Sequence, residues 1–97
     1  MSPVAARVVV IKSPQGLHAR PAALFVRTAN RFGSQVTVSK GRQQASGKSI
    51  MEILTLAAHA GAKVRIEATG DDAEEAVKTL GDLLEAQTGV GTEGGAR

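Results

Sequence analysis

The residues whose types and spacing could carry chemistry lie near the N-terminus, in residues 16–22, which read GLHARPA. A helical pattern begins here, so His18 is expected in the first turn of a helix. Helix N-termini attract anions because their first N–H groups lack partners and the macrodipole is positive there. Pro21 suits the first turn, and Arg20 can bond phosphoryl oxygens. The segment predicts a histidine that accepts a phosphoryl group, with a helix cap or a surface histidine as the alternative.

A second candidate site lies at Ser49 and Glu52, which have the Ser-x-x-Glu spacing of a capping box. In such a box the hydroxyl accepts a hydrogen bond from the third helical N–H, and the carboxylate reaches back to the N–H of the cap. This spacing predicts a short helix that follows Ser49 and ends by Gly61. The box accounts for the serine without a regulatory role, and it is compatible with one.

The composition excludes several classes of protein. The chain has 97 residues, which allows one domain, and it contains no cysteine, which excludes a disulfide framework and a Cys-based zinc site. Its histidines, His18 and His59, are not at helical spacing, so we predict no metal and no cofactor. No segment approaches the 18 apolar residues of a membrane span, and we expect a cytoplasmic protein without direct membrane insertion.

The hydrophobic pattern predicts four strands and three helices. We expect a buried strand over residues 4–11, a hairpin over residues 35–46, and a half-buried strand over residues 63–69. An apolar stripe over residues 22–29 predicts a first helix that ends near Gly33 as its cap. A longer stripe over residues 73–84 predicts the last helix, with Asp71 or Asp72 as its cap. The order implies an α+β fold with helices on one side of a mainly antiparallel sheet.

Two segments of the chain resemble the signatures of one family. Residues 16–23, GLHARPAA, resemble the active-site signature of HPr, the histidine-containing phosphocarrier of the bacterial phosphotransferase system. Residues 47–51, GKSIM, resemble the second signature of that family, around its regulatory serine. The predicted element order, βαββαβα, agrees with the family. The resemblance covers Val4 to about Thr88.

This resemblance implies a fold and a set of site residues. The fold would be an open-faced β-sandwich, with a four-stranded antiparallel sheet and three helices on one face. His18 would carry phosphate on Nδ1, Arg20 would stabilise the phosphoryl group, and Ser49 would be the regulatory phosphorylation site. Residues 1–88 would form the phosphocarrier domain. Residues 89–97 contain four glycines and are predicted to form a flexible tail.

The resemblance also implies partners. We expect a monomeric, stoichiometric carrier, rather than a turnover enzyme, that takes its phosphoryl group from enzyme I and passes it to enzyme II components for sugar uptake. A serine kinase or phosphorylase would act on Ser49. Apolar positions and a basic rim on the first two helices suggest a docking surface for acidic partners. The predicted partner-binding residues are Ala23, Leu24, Arg27, Ile50, Met51 and Leu54.

Two alternative functions remain at this point. A regulatory phosphocarrier of the nitrogen branch would use the same site. A small basic RNA-binding domain would fit the net charge of +3, although the chain has only two aromatic residues for base stacking. Two positions also depart from the family pattern: the family often has Gly where Ala57 stands, and often Gly or a basic residue where Glu52 stands.

Overall fold

The computed structural model describes residues 3–88. The elements follow one another as β1 (Val4–Val10), α1 (Ala19–Ala29), β2 (Gln35–Lys40), β3 (Gln43–Ser46), α2 (Ile50–Thr55), β4 (Lys63–Thr69) and α3 (Ala73–Thr88). They form one sheet of order β1-β4-β2-β3 in which every pairing is antiparallel. The predicted element order and the four-stranded antiparallel sheet are therefore confirmed. The predicted tail, residues 89–97, lies outside the described residues.

The core lies between the sheet and the three helices. Along β4, Val64, Ile66 and Ala68 are fully buried, whereas Lys63 and Arg65 are exposed on the opposite face. The alternation follows because successive residues of a strand point to opposite faces of the sheet. α3 packs on β1 and β4, and α1 packs on α3 and α2. Within residues 3–88, no helix combines the length and the apolar character that crossing a bilayer requires.

The first strand is less buried than its β-branched sequence predicts. Val9 is buried, but Val4 and Val8 are 59% and 56% exposed. The cause is that the helices cover only one face of the sheet, so alternate side chains of β1 lie on the open face, as they do along β4. A run of valines does not reveal which face is covered, so the prediction of a buried strand is wrong for alternate residues.

The first helix ends earlier than predicted. α1 stops at Ala29 and is capped by Asn30 in a right-handed conformation, with the backbone N–H and the side-chain Nδ2 of Asn30 both donating to the carbonyl of Val26 at 3.0 Å. Gly33 is not in the left-handed conformation that a glycine cap requires. The asparagine amide supplies the terminating bonds, so the prediction of Gly33 as the cap is wrong.

Asp72 lies directly before α3 and ties that helix to the start of β2. Its carboxylate accepts hydrogen bonds from the N–H groups of Gly33 and Ser34, each at 3.0 Å, and from the Ser34 hydroxyl. The Ser34 hydroxyl, followed by the Gly33 N–H, holds the pKa of Asp72 below its ordinary value of 3.8. Asp72, one of the two predicted caps of α3, therefore links that helix to the start of β2, which lies 38 residues earlier in the chain.

Arg7 makes a second link between the sheet and α3. Its guanidinium donates to Asp82 at 2.8 Å and to Glu85 at 2.9 Å. Arg7, followed by Lys78, lowers the pKa of Asp82. Because these side chains are largely exposed, each pair adds little stability, and their effect is to orient α3 along the edge strand.

Asp72→Asn should lower the free energy of unfolding at neutral pH, because the neutral amide accepts these hydrogen bonds less strongly than a carboxylate. A depressed pKa contributes stability above the ordinary value of 3.8, and that contribution is lost as the pH falls through the lower value of the folded state. The difference between wild type and variant in urea unfolding should therefore shrink below about pH 4. Asp71→Asn, at the exposed neighbouring position, is the control and should change little at any pH. A wild-type advantage that persisted undiminished in acid would contradict this role.

Candidate functional site

His18 is the N-cap of α1, one position before the predicted first turn. Its backbone is extended, with φ −105° and ψ −169°, and its ring makes no capping hydrogen bond. The side chain is half-buried at the surface. Because the imidazole is not used to cap the helix, the alternative of a capping histidine is wrong and the ring nitrogens are left for chemistry.

The groups around His18 favour a negative charge. The first hydrogen bond within α1 is donated by Ala22 to the carbonyl of His18 at 3.1 Å, so the N–H groups of Ala19 and Arg20 have no partner inside the helix. The first turn contains no acidic residue, and the Arg20 side chain is exposed. An anion held at the imidazole would meet backbone donors, the positive helix end and a permanent cation.

The loop before His18 is held by the loop that joins α2 to β4. Leu17 N–H donates to the carbonyl of Ala58 at 2.8 Å. Gly16 has φ +72°, and a Cβ at this position would lie 2.6 Å from the Ala58 oxygen and 2.8 Å from Cα of His59. Only glycine allows the two loops to approach so closely. Sequence reasoning missed Ala58, because its contribution is a backbone carbonyl that no side-chain pattern reveals.

The same α2–β4 loop also holds the end of β1. Ile11 N–H donates to Ala62 at 2.8 Å, and Gly61 N–H donates to Ile11 at 2.7 Å. Ile11 and Leu17 are both buried in the core. The loop that carries the chain from β1 to His18 is thus anchored at both ends.

Ser49 is the N-cap of α2, as predicted, and its hydroxyl accepts a hydrogen bond from Glu52 N–H at 3.2 Å. The other half of the predicted capping box is wrong. Ser49 N–H donates to the carbonyl of Ser46 at 3.2 Å, and the Glu52 carboxylate accepts from Ser46 N–H at 2.8 Å. Since the N–H of the cap is already paired, the carboxylate binds the end of β3 instead.

The two residues before Ser49 fasten this segment to the rest of the protein. A Cβ at Gly47 would lie 2.9 Å from Cβ of Val36 and 3.3 Å from the Phe25 ring, so a side chain here would collide with the core. Lys48 Nζ donates to the carbonyl of Phe32 at 2.8 Å, beyond the end of α1. The position of Ser49 is therefore set by contacts with both the sheet and α1.

The predicted partner-binding residues lie on two helices that pack against each other, α1 and α2. Met51 is 75% exposed and Ile50 is 38% exposed, and Arg27 is also exposed. Ala23, Leu24 and Leu54 are half-buried, and Leu54 packs against the core. The exposed apolar side chains of this group are thus concentrated at the start of α2.

The other histidine, His59, lies on the loop that contacts Gly16. His59 is exposed, and its Nδ1 lies 3.2 Å from the carbonyl of Ala57. Across residues 3–88, no three His, Asp or Glu side chains are grouped to hold a metal ion. An open cleft of about 420 Å³ beside β2 and β3 does not include His18, nor does a cleft of about 320 Å³ between α1 and α3. The half-buried His18 side chain thus lines neither of these clefts.

Comparison with known sequences identifies related proteins. A family model described as "PTS HPr component phosphorylation site" matches residues 5–86. The phosphocarrier protein HPr of Borreliella burgdorferi is 39% identical over 77 residues, which cover 79% of this chain and 90% of that protein. The multiphosphoryl transfer protein of Salmonella typhimurium is 38% identical over 85 residues, which cover 84% of this chain and 23% of that protein. The chain thus spans about a quarter of that relative's length.

The fold has a close counterpart among solved structures. The crystal structure of HPr-C-His from Thermoanaerobacter tengcongensis superposes with a TM-score of 0.81 at 48% identity, covering 88% of this chain and 96% of that one. Sequence and fold therefore agree over the segment that contains both GLHARPAA and GKSIM. On these grounds the chain belongs to the HPr family of phosphocarriers of the phosphotransferase system.

Proposed function

We propose that this protein is a phosphocarrier that accepts a phosphoryl group on His18 from phosphorylated enzyme I and passes it to enzyme II components for sugar uptake. The phosphoryl group originates from phosphoenolpyruvate. The observation that carries the proposal is the position of His18, at a helix N-terminus with unpaired donors and with an imidazole that takes no part in capping. His18 also lies within the region matched by the family's phosphorylation-site model.

Each transfer exchanges one bond to phosphorus for another. Nδ1 of His18 supplies the electron pair of the new N–P bond, while the bond between phosphorus and the donor atom of enzyme I breaks and its electron pair returns to that atom. Attack by Nδ1 requires the tautomer that carries its proton on Nε2, because only an unprotonated ring nitrogen has a free electron pair. In the second transfer, a histidine or cysteine of the enzyme II component attacks the same phosphorus, and the bond to Nδ1 breaks.

The surroundings of His18 stabilise the transferred group by electrostatics. Negative charge develops on the phosphoryl oxygens, and we propose that the N–H groups of Ala19 and Arg20 bond them together with the Arg20 guanidinium. The two backbone N–H groups are set before the reaction, because α1 and the anchored loop fix them. They stabilise the charge on the phosphoryl oxygens both when the group is transferred to His18 and when it is transferred onward, as a carrier requires.

The surface around Ile50 and Met51 is the proposed docking site for both partners. It offers exposed apolar side chains at the start of α2, and the exposed cations Arg20 and Arg27 lie on α1, the helix that packs against α2. This combination suits an apolar contact with an acidic rim on the partner. Donor and acceptor would use the surface in turn, so each complex must dissociate quickly. Ser49 borders this surface, and we propose that a serine kinase or phosphorylase regulates docking there.

The alternative of an RNA-binding domain gains no support from the geometry. RNA-binding sheets stack bases on exposed aromatic side chains. The aromatic residues of this chain are Phe25, which is 2% exposed, and Phe32, which packs half-buried against the core. Neither is presented on the open face of the sheet.

Incubation with enzyme I and phosphoenolpyruvate should add one acid-labile, base-stable phosphate per molecule, and His18→Ala should abolish it. The substitution removes the acceptor atom and no core packing, so the variant should stay folded by circular dichroism. His59→Ala is the matched control and should still accept phosphate. Phosphate on the His18→Ala protein, or its loss from His59→Ala, would show that the acceptor is misassigned.

Arg20→Ala should slow phosphoryl transfer in both directions while the melting temperature stays near that of wild type. A hydrogen bond to a charged group contributes about 1.5–3 kcal/mol, which corresponds to a roughly ten- to hundredfold loss of rate. Arg20→Lys should recover part of the rate, because an ammonium keeps the charge but lacks the planar fork. Arg65→Ala, an exposed arginine on the open sheet face, is the control in the same quench-flow assay. An Arg20→Ala protein as fast as the Arg65→Ala protein would exclude the proposed role.

Met51→Asp should raise the KM of enzyme I for this protein by roughly tenfold and leave kcat little changed, because a charge is placed in the apolar centre of the docking site. Val8→Asp is the matched control, since Val8 is an exposed apolar residue on the opposite face of the molecule. Both substitutions are at exposed positions and should leave the fold intact. Equal KM values for the two variants would place docking elsewhere.

A further inference from the structure

The junction between β3 and α2 brings a hydroxyl and a carboxylate to the same helix end. The Ser49 hydroxyl accepts from Glu52 N–H at 3.2 Å, and the Glu52 carboxylate accepts from Ser46 N–H at 2.8 Å. A third hydrogen bond is donated by Ser49 N–H to the Ser46 carbonyl at 3.2 Å. These three bonds join the last residue of β3 to the first turn of α2, and we call them the Ser46–Ser49–Glu52 clasp.

The Glu52 carboxylate of this clasp accepts a hydrogen bond but makes no ion pair within residues 3–88. Lys48 is next to Ser49 in the chain, but its ammonium is directed to the Phe32 carbonyl at 2.8 Å. Glu52 takes part in none of the ion pairs that join side chains of residues 3–88. A second negative charge at Ser49 would therefore act on a carboxylate that has no ion-pair partner among the described residues.

We propose that the Ser46–Ser49–Glu52 clasp is opened by phosphorylation of Ser49, because the phosphoryl group repels the Glu52 carboxylate from Ser46 N–H and so loosens the β3–α2 junction. This inference rests on the proposed role of Ser49 as a modification site. It goes further in assigning to Glu52 the response of the fold to that modification. Glu52 is one of the two positions at which the chain departs from the family pattern.

Phosphorylation of Ser49 changes bonds at the hydroxyl and then hydrogen bonds at the start of α2. Transfer from a nucleoside triphosphate forms the bond between Ser49 Oγ and phosphorus, breaks the β–γ anhydride bond, and releases a nucleoside diphosphate and the hydroxyl proton. The new group carries a charge of about −1.5 to −2. Its oxygens can take the N–H groups of Ile50 and Met51, which precede the first hydrogen bond within α2. The Glu52 carboxylate then leaves Ser46 N–H to water.

The junction is a weak part of the sheet, which is why one charge can open it. β3 has only four residues and lies at the edge of the sheet, where it pairs on one side with β2 alone. Opening the clasp removes the bond that holds its last N–H to α2. The same helix carries Ile50 and Met51, so loosening the junction alters the proposed docking site as well as its charge.

The test compares the full chain carrying phosphoserine at position 49, installed during translation, with the unmodified chain, in wild type and in Glu52→Gln. The glutamine keeps an Oε1 acceptor for Ser46 N–H but has no charge, so it is a matched control. Phosphoserine should speed hydrogen exchange of the Ser46 amide, followed by NMR, by roughly tenfold in wild type and by less than about twofold in Glu52→Gln. Equal acceleration in the two proteins, or none in wild type, would overturn the proposal.

A second readout reports the repulsion itself. The second ionisation of the phosphoserine, followed by ³¹P NMR, should occur at higher pH in wild type than in Glu52→Gln, because a nearby carboxylate opposes the dianion. Added salt should narrow the difference. Identical titrations in the two proteins would overturn the proposal. Neither readout involves His18, so failure here leaves the phosphocarrier assignment standing, and the His18→Ala assay tests that assignment separately.

Discussion

The hydrogen bond from Leu17 N–H to the Ala58 carbonyl is the contact on which the His18 site depends. It joins the loop before α1 to the loop after α2 at 2.8 Å, and Gly16 is what lets the two backbones come together. Together with the bonds between Ile11 and residues 61 and 62, it fixes where α1 begins. Because His18 occupies the N-cap position of that helix, the direction of the first N–H groups of α1 and the position of the imidazole follow from the packing of two loops.

The N-termini of α1 and α2 have different proposed roles, phosphoryl transfer at α1 and regulation at α2. The end of α1 holds a histidine that is not used as a cap, and this leaves its ring for phosphoryl transfer. The end of α2 holds a serine that does cap its helix, so a modification there changes hydrogen bonds that are already made. The start of α2 lies near the end of α1, where Lys48 reaches the Phe32 carbonyl, and the loop after α2 lies near the start of α1, where Ala58 accepts from Leu17. A partner that contacts both helices would meet the charge state of Ser49 while it exchanges phosphate with His18.

Much of this arrangement could be predicted from the sequence, and the failures have physical causes. The apolar periodicity of the sequence predicted β4 as a strand and α3 as a helix correctly, since burial of one face is encoded in residue spacing. The end of α1 was predicted wrongly because an asparagine side chain ends the helix, and the burial of β1 was predicted wrongly because the helices cover only one face of the sheet. Glu52 was assigned to the wrong N–H group, because the Ser46 carbonyl had already taken the N–H of Ser49. Contacts made by backbone carbonyls, such as that of Ala58, leave no pattern in the sequence.

The central claim is tested most directly by NMR of the isotopically labelled full chain after incubation with enzyme I and phosphoenolpyruvate. The account predicts one ³¹P resonance in the phosphoramidate region, coupled to the imidazole of His18 through Nδ1. It also predicts that the amide protons of Ala19 and Arg20 shift downfield, as expected for donors to a new anion. A phosphate on His59 or on a serine, or a His18 phosphate that leaves both amide resonances unmoved, would contradict the account.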